Sequence, residues 1–137
     1  MTDTEATETL HQTMPMCAML GMRAERFVAD GVVLALDWTE SLCTSNGMLH
    51  GGAVMALADS AGGACAFLNL PEGAAGTSTI ESKSNFLGAI RGGTVRASSK
   101  PLHVGSSTIV IETEVRSAED KLVAKVTQTQ TVLRPRG

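Results

Sequence analysis

The longest coherent pattern in the chain lies in its middle. From Gly51 the apolar positions Val54, Leu57, Ala58, Ala61, Cys65 and Leu68 recur at the 3.6-residue helical period. A second stripe, Gly52, Ala56, Asp59 and Gly63, is made of small residues around one acid. The spacing predicts a helix from about Gly51 to Leu68 that stops before Pro71. Asn46-Gly47 marks a turn ahead of it, inside a polar connection over residues 39–49. Upstream, Leu10, Met14, Cys17, Ala18 and Met19 fit a short amphipathic helix interrupted by Pro15 and ended by Gly21. Residues 22–29 and 32–38 flank Asp30-Gly31 and read as a β-hairpin. Downstream the chain turns to strand patterning over residues 77–87, 94–103, 106–116 and 121–133, with turn residues between the runs. The β-branched density of Thr108-Ile109-Val110-Ile111 and of residues 123–132 reinforces that reading.

These elements predict a single α+β domain over residues 10–137, a long central helix wrapped by a five- to six-stranded antiparallel sheet. The last four strands are expected to form a meander. Residues 1–9, Thr/Glu-rich and without apolar periodicity, are expected to be a disordered tail.

Composition narrows the classes of function. The 137 residues are 43% hydrophobic and 18% charged, which is ordinary for a globular protein. The net charge of -3 matches the three acids Asp3, Glu5 and Glu8, so the body is neutral. Without a basic surface, and with no Tyr for stacking bases, nucleic acid is excluded as a partner. Residues 51–70 are long enough to raise the question of a membrane span. Asp59, Ser60, Asn69, four glycines and the lack of basic flanks point instead to a buried helix of a soluble protein. Cys17, Cys43 and Cys65 show no metal-ligand spacing and read as small buried hydrophobes of a reducing compartment. The first nine residues lack a basic n-region and an apolar h-region, so a cytoplasmic location is expected. No metal and no cofactor is expected.

The chemistry concentrates at Asn46 to Ser60. The first N–H groups of a helix have no intrahelical partner and carry the positive end of its dipole. Gly51 and Gly52 leave those groups open, so a polarised carbonyl oxygen would sit well against them. Asp59 lies nine residues beyond His50. That is about half a turn out of phase and some ~13 Å along the axis. One helix therefore cannot easily bring both groups to one substrate atom, whereas two helices side by side in a dimer can. The plain alternatives are a capping His50, a packing Gly51-Gly52 and an Asp59 satisfied by neighbouring polar groups.

Asn-Gly-x-x-His-Gly-Gly followed by an apolar helix with Asp59 resembles the hotdog-fold acyl-CoA thioesterases, in particular the phenylacetate-degradation (PaaI-type) branch. Residues 16–22, 78–87, 103–105 and 121–124 extend the resemblance over nearly the whole chain. It implies Asp59 as general base or nucleophile, the Gly51 N–H as the group polarising the thioester carbonyl, and His50 as a loop or thioester contact. Thr79, with Ser78 a one-residue slip away, would orient the attacking water. Asn46, Gly52, Ser60, Ser78, Met48 and Met55 are candidate substrate contacts. Where the family often has Asn six residues before the His, this chain has Thr44, and where it often has Arg for the CoA phosphates it has Ser106-Ser107. Lys83, Arg91, Lys100 and Ser106 are the candidate CoA contacts. The resemblance also implies a homodimer of joined sheets, often a homotetramer, with Asp59 from one subunit and His50 and Gly51 from its partner. A hotdog dehydratase and a non-catalytic acyl-CoA-binding module are the alternatives; an intact Asp59 favours hydrolysis.

Overall fold

The protein is described by a computed structural model covering residues 1–136. Gly137, the last residue of the expected domain, lies outside the described residues. Six strands, β1 (Arg23–Val28), β2 (Gly31–Asp37), β3 (Gly76–Phe86), β4 (Thr94–Val104), β5 (Thr108–Arg116) and β6 (Leu122–Leu133), form one antiparallel sheet in the order β1-β2-β4-β5-β6-β3. Alternation along β5 turns Ile109, Ile111, Thr113 and Val115 inward. On β6 the inward set is Ala124, Val126, Gln128, Gln130 and Val132. Against this face lies the long helix α3 (Gly51–Leu68), which buries Val54, Leu57, Ala58, Ala61, Gly62, Ala64, Cys65 and Ala66. Its length and apolar composition would suffice to cross a membrane, but here it is the core helix of the domain. Ser99 and Thr113, buried in the same layer, satisfy each other through a 2.6 Å hydroxyl pair.

Two expectations are corrected. Residues 1–9 are not a tail: helix α1 runs Thr4–Thr13 and is followed by α2 (Pro15–Leu20). Only Leu10 of α1 is buried, so there is little apolar periodicity to detect. Polar ties hold it instead. Asp3 accepts from the Ala6 N–H at 3.0 Å and donates its own N–H to the Ala24 carbonyl at 2.7 Å. The Thr7 hydroxyl accepts from the Ala24 N–H at 2.9 Å, and His11 Nε2 bonds the Met22 carbonyl at 2.6 Å. The last four strands are likewise not a meander. β4, β5 and β6 are, but β3 passes to the far edge and pairs with β6. Its Ser, Thr and charged residues give it no apolar face to bury, so the β-branched strands take the positions over the helix. The hairpin before α3 is present with Val28 opposite Gly31, which places its two loop residues at Ala29-Asp30, one position earlier than expected.

The outer face of the sheet carries ion pairs that set a pH dependence. Arg96 grips Glu25 with two bonds of 2.7 and 3.1 Å, and this holds the Glu25 carboxyl below its usual range against the opposing effect of burial. Asp37 is held down in the same way by Arg23 and then by the Thr94 hydroxyl. A carboxyl depressed in the folded state contributes stability that is present above its unfolded pKa and is lost as pH falls through its folded one. Urea unfolding between about pH 6 and pH 3 is therefore expected to show falling stability through and below the ordinary carboxylate range near ~4. Arg96→Met should flatten part of that fall. An unchanged slope would mean that Glu25 draws nothing from Arg96.

Candidate active site

The loop before α3 is pinned at both sides of its turn. Asn46 and Gly47 both take left-handed backbone, at φ 64 and φ 69. Trp38 Nε1 donates to the Gly47 carbonyl at 3.0 Å, and Arg91 Nη1 donates to the Asn46 carbonyl at 2.6 Å. Leu49, 5% exposed, anchors the exit, with its N–H on the Ile90 carbonyl at 2.8 Å. His50 then caps α3: its Nδ1 accepts the Gly52 N–H at 2.7 Å, which leaves the ring proton of the neutral form on Nε2. A Cβ on Gly52 would come within 2.8 Å of that Nδ1, so glycine is needed for the cap. The Gly51 N–H has no acceptor among the described residues, and the Phe86 ring lies beside it, 3.5 Å from where a Cβ would stand. This N–H is an open donor at the positive end of a helix dipole.

Asp59 lies eight residues further along the same helix, about 12 Å away by helical rise. Its carboxyl is exposed in the single chain, not buried, and Oδ1 accepts from Gln128 Nε2 at 3.1 Å. It stands at the edge of a cavity of about 510 Å³ between α3, the start of β3, α1 and β1. Thr77, Thr79 and Gln130 form the polar wall beside Asp59, with Ser78 between two of them on the lining strand, while Met14, Phe27, Ala64, Phe67 and Leu68 form an apolar end. Gln130 Nε2 donates to Thr79 Oγ1 at 2.6 Å, which fixes that hydroxyl as an acceptor there and leaves its proton free to donate elsewhere. Register separates the two candidate hydroxyls. Thr79 lies opposite Gln130 and shares its inward face, whereas Ser78 lies opposite Thr131 on the other face.

The remaining candidates do not join this cavity. His50, Gly51, Gly52, Asn46, Met48 and Met55 are absent from its lining. Ser60 turns away to Cys17, whose thiol is pushed up by burial, pulled down by the Ser60 hydrogen bond and raised again by Asp59. Burial, with Asp30 adding to it, pushes Cys65 up to about 11. Both thiols are therefore protonated and unsuited to nucleophilic work. Arg91 is engaged with the Asn46 carbonyl, and the Ser106 carbonyl accepts from Arg134 at 2.7 Å. Lys83 lies opposite Thr127, Thr127 opposite Glu112, and Glu112 opposite Lys100, a single row across the sheet face that points away from α3. Two residues that sequence reasoning passed over, Gln128 and Gln130, touch the candidate groups directly. Their signal was there: two long amides at alternate positions on the inward register of a β-branched strand.

The sequence pattern of the thioesterase superfamily matches residues 46–124, from the Asn46 turn to the start of β6. The 1,4-dihydroxy-2-naphthoyl-CoA hydrolase of Escherichia coli (strain K12) is 34% identical over 118 residues, spanning 86% of this chain and 86% of that protein. The crystal structure of thioesterase HI1161 from Haemophilus influenzae superposes with a TM-score of 0.86 at 27% identity, covering 93% of this chain and 90% of the other. A thioesterase family protein from Silicibacter pomeroyi also gives 0.86, at 26% identity and with 96% and 98% covered.

Proposed function

Because this chain belongs to the thioesterase superfamily, we propose that it hydrolyses an acyl-CoA thioester to the free acid and CoA, with Asp59 as general base or nucleophile. The observation that carries this reading is the pairing, at one cavity, of a solvent-reached carboxylate with a hydroxyl whose proton is free. The oxygen of water is delivered to the thioester carbonyl carbon, the carbon–sulfur bond breaks, and the sulfur leaves with a proton as the thiol. An N–H aimed at the developing oxyanion accelerates such a step, and the open Gly51 N–H is the donor of that kind at the helix start. Asp59 and Gly51 sit too far apart on one rigid helix to serve one substrate, so the donor is supplied by a second copy of the chain. Two features support that arrangement. Among the described residues β3 pairs only with β6, leaving an eleven-residue edge unpaired. Phe86 and Leu87 at its end and Ile80 in its bulge are exposed. The apolar end of the cavity, with Phe27 and Phe67, fits an aryl or arylacetyl group.

Thiol release from a panel of arylacetyl-, aroyl- and straight-chain acyl-CoA thioesters tests the reading. Turnover is expected, greatest on the aromatic thioesters. A wild-type protein that binds acyl-CoA and releases no thiol on the whole panel would instead be a binding module.

A further inference from the structure

Gln128 is the buried residue whose presence the fold explains least. It is 0% exposed, on the inward face of β6 between Val126 and Gln130, in a layer that is apolar apart from Gln130 and the mutually bonded Ser99 and Thr113. Its Nε2 donates to Asp59 Oδ1 at 3.1 Å, but its Oε1 is buried without a hydrogen-bond partner among the described residues. An unpaired buried carbonyl is unfavourable, and a methionine of the same shape would avoid it. The helix has also been cut away to admit this amide. A Cβ on Gly62 would stand 1.5 Å from Gln128 Oε1 and 2.5 Å from its Cδ, so at this position α3 must carry glycine despite the cost to the helix. Gly62 is three residues after Asp59, on the adjoining turn. Helix and strand are thus shaped around one contact, a donor on a single oxygen of the acid.

From this we infer that Gln128 is a positioning residue for the thioesterase reaction. It fixes the Asp59 carboxylate by one oxygen and leaves Oδ2 for the reacting carbon or its water, and Gly62 provides the space it needs. The inference rests on the reading of Asp59 given above. Gln130, one step along the same face, holds Thr79 in the same manner, so β6 orients both groups from behind.

Gln128→Met removes the donor, keeps the volume and also removes the unpaired oxygen. Loss of orientation at a reacting group is expected to lower kcat by about 10- to 100-fold with KM within about threefold. The thermal unfolding midpoint should hold or rise, which a merely structural glutamine would not allow. Gln128→Leu, which also removes the donor and leaves the layer apolar, should lower kcat in the same way and guards against a folding failure of the first variant. Gly62→Ala displaces the amide and should cost a similar factor, while the Gly62→Ala, Gln128→Met double variant should lose no more than Gln128→Met alone. An active wild type whose kcat is unchanged by both Gln128 variants, or whose loss follows a lowered midpoint, overturns this inference and leaves Asp59 its role. A wild type inert on the panel overturns both.

Discussion

Asp59→Ala is expected to lower kcat for thioester hydrolysis by about 10²- to 10⁴-fold, the range that a positioned general base supplies. KM should change little, because the apolar end of the cavity remains intact. The fold should survive, since the carboxyl is exposed and its only hydrogen bond among the described residues is the one from Gln128. Asp59→Asn keeps the size and even a hydrogen-bond acceptor for Gln128, yet it can neither take a proton from water nor attack a carbonyl, so it should be as slow as alanine. Thiol release and thermal unfolding measured on the same preparations check both points. Activity within about tenfold of wild type in both variants would remove Asp59 from the chemistry.

The second large effect comes from a backbone group. Gly51→Pro deletes the N–H at the first helical position, the one site in a helix where proline fits without loss. His50 before it already has φ -60 and ψ 135, the conformation a residue preceding proline prefers. A Cβ added there would meet only the Phe86 ring, at 3.5 Å, an ordinary contact. The helix should therefore stand while kcat falls by about 10²- to 10³-fold. Mixing this variant with Asp59→Ala then tests the shared site. If each site takes Gly51 from one chain and Asp59 from the other, a mixed dimer has one site with both defects and one with neither. Random exchange of equal amounts should restore about one quarter of wild-type activity, given twofold symmetry. No recovery after verified exchange would place both groups of a site on one chain.

The helix that organises the domain was the most legible part of the sequence. Its apolar spacing, the glycines at its start and the proline after its end bounded it at Gly51 and Leu68, where the structure has it. The strands were legible within a residue or two, because β-branched alternation and turn residues are local signals. What local signals could not carry was partnership. Nothing in residues 77–87 says that their neighbour is β6 and not β4; that follows from which strands own an apolar face. The helix around Pro15 was legible, but the first turns of α1 were missed because hydrogen bonds to β1 hold them in place of a buried stripe. His50 caps the Gly52 N–H through Nδ1, as its plainer reading expected, which is compatible with the contact to the thioester that the resemblance implied. Thr79 and Ser78 differ by a face, which only the pairing register decides. Gln128 and Gln130 were visible as residues, but their meaning depended on what lay across from them.

The attachment of both groups to the last strand has a consequence for when the site comes into being. Asp59 is held by a residue 69 positions later and Thr79 by one 51 positions later. Contacts this distant in the chain carry the larger loop-closure cost, so they are expected to close after the local hairpins and the helix. On the ribosome, Asp59 and Thr79 are synthesised well before β6, so with the roles proposed for them a nascent chain would stay catalytically silent until β6 has emerged and docked. Activity would then report completion of the fold itself.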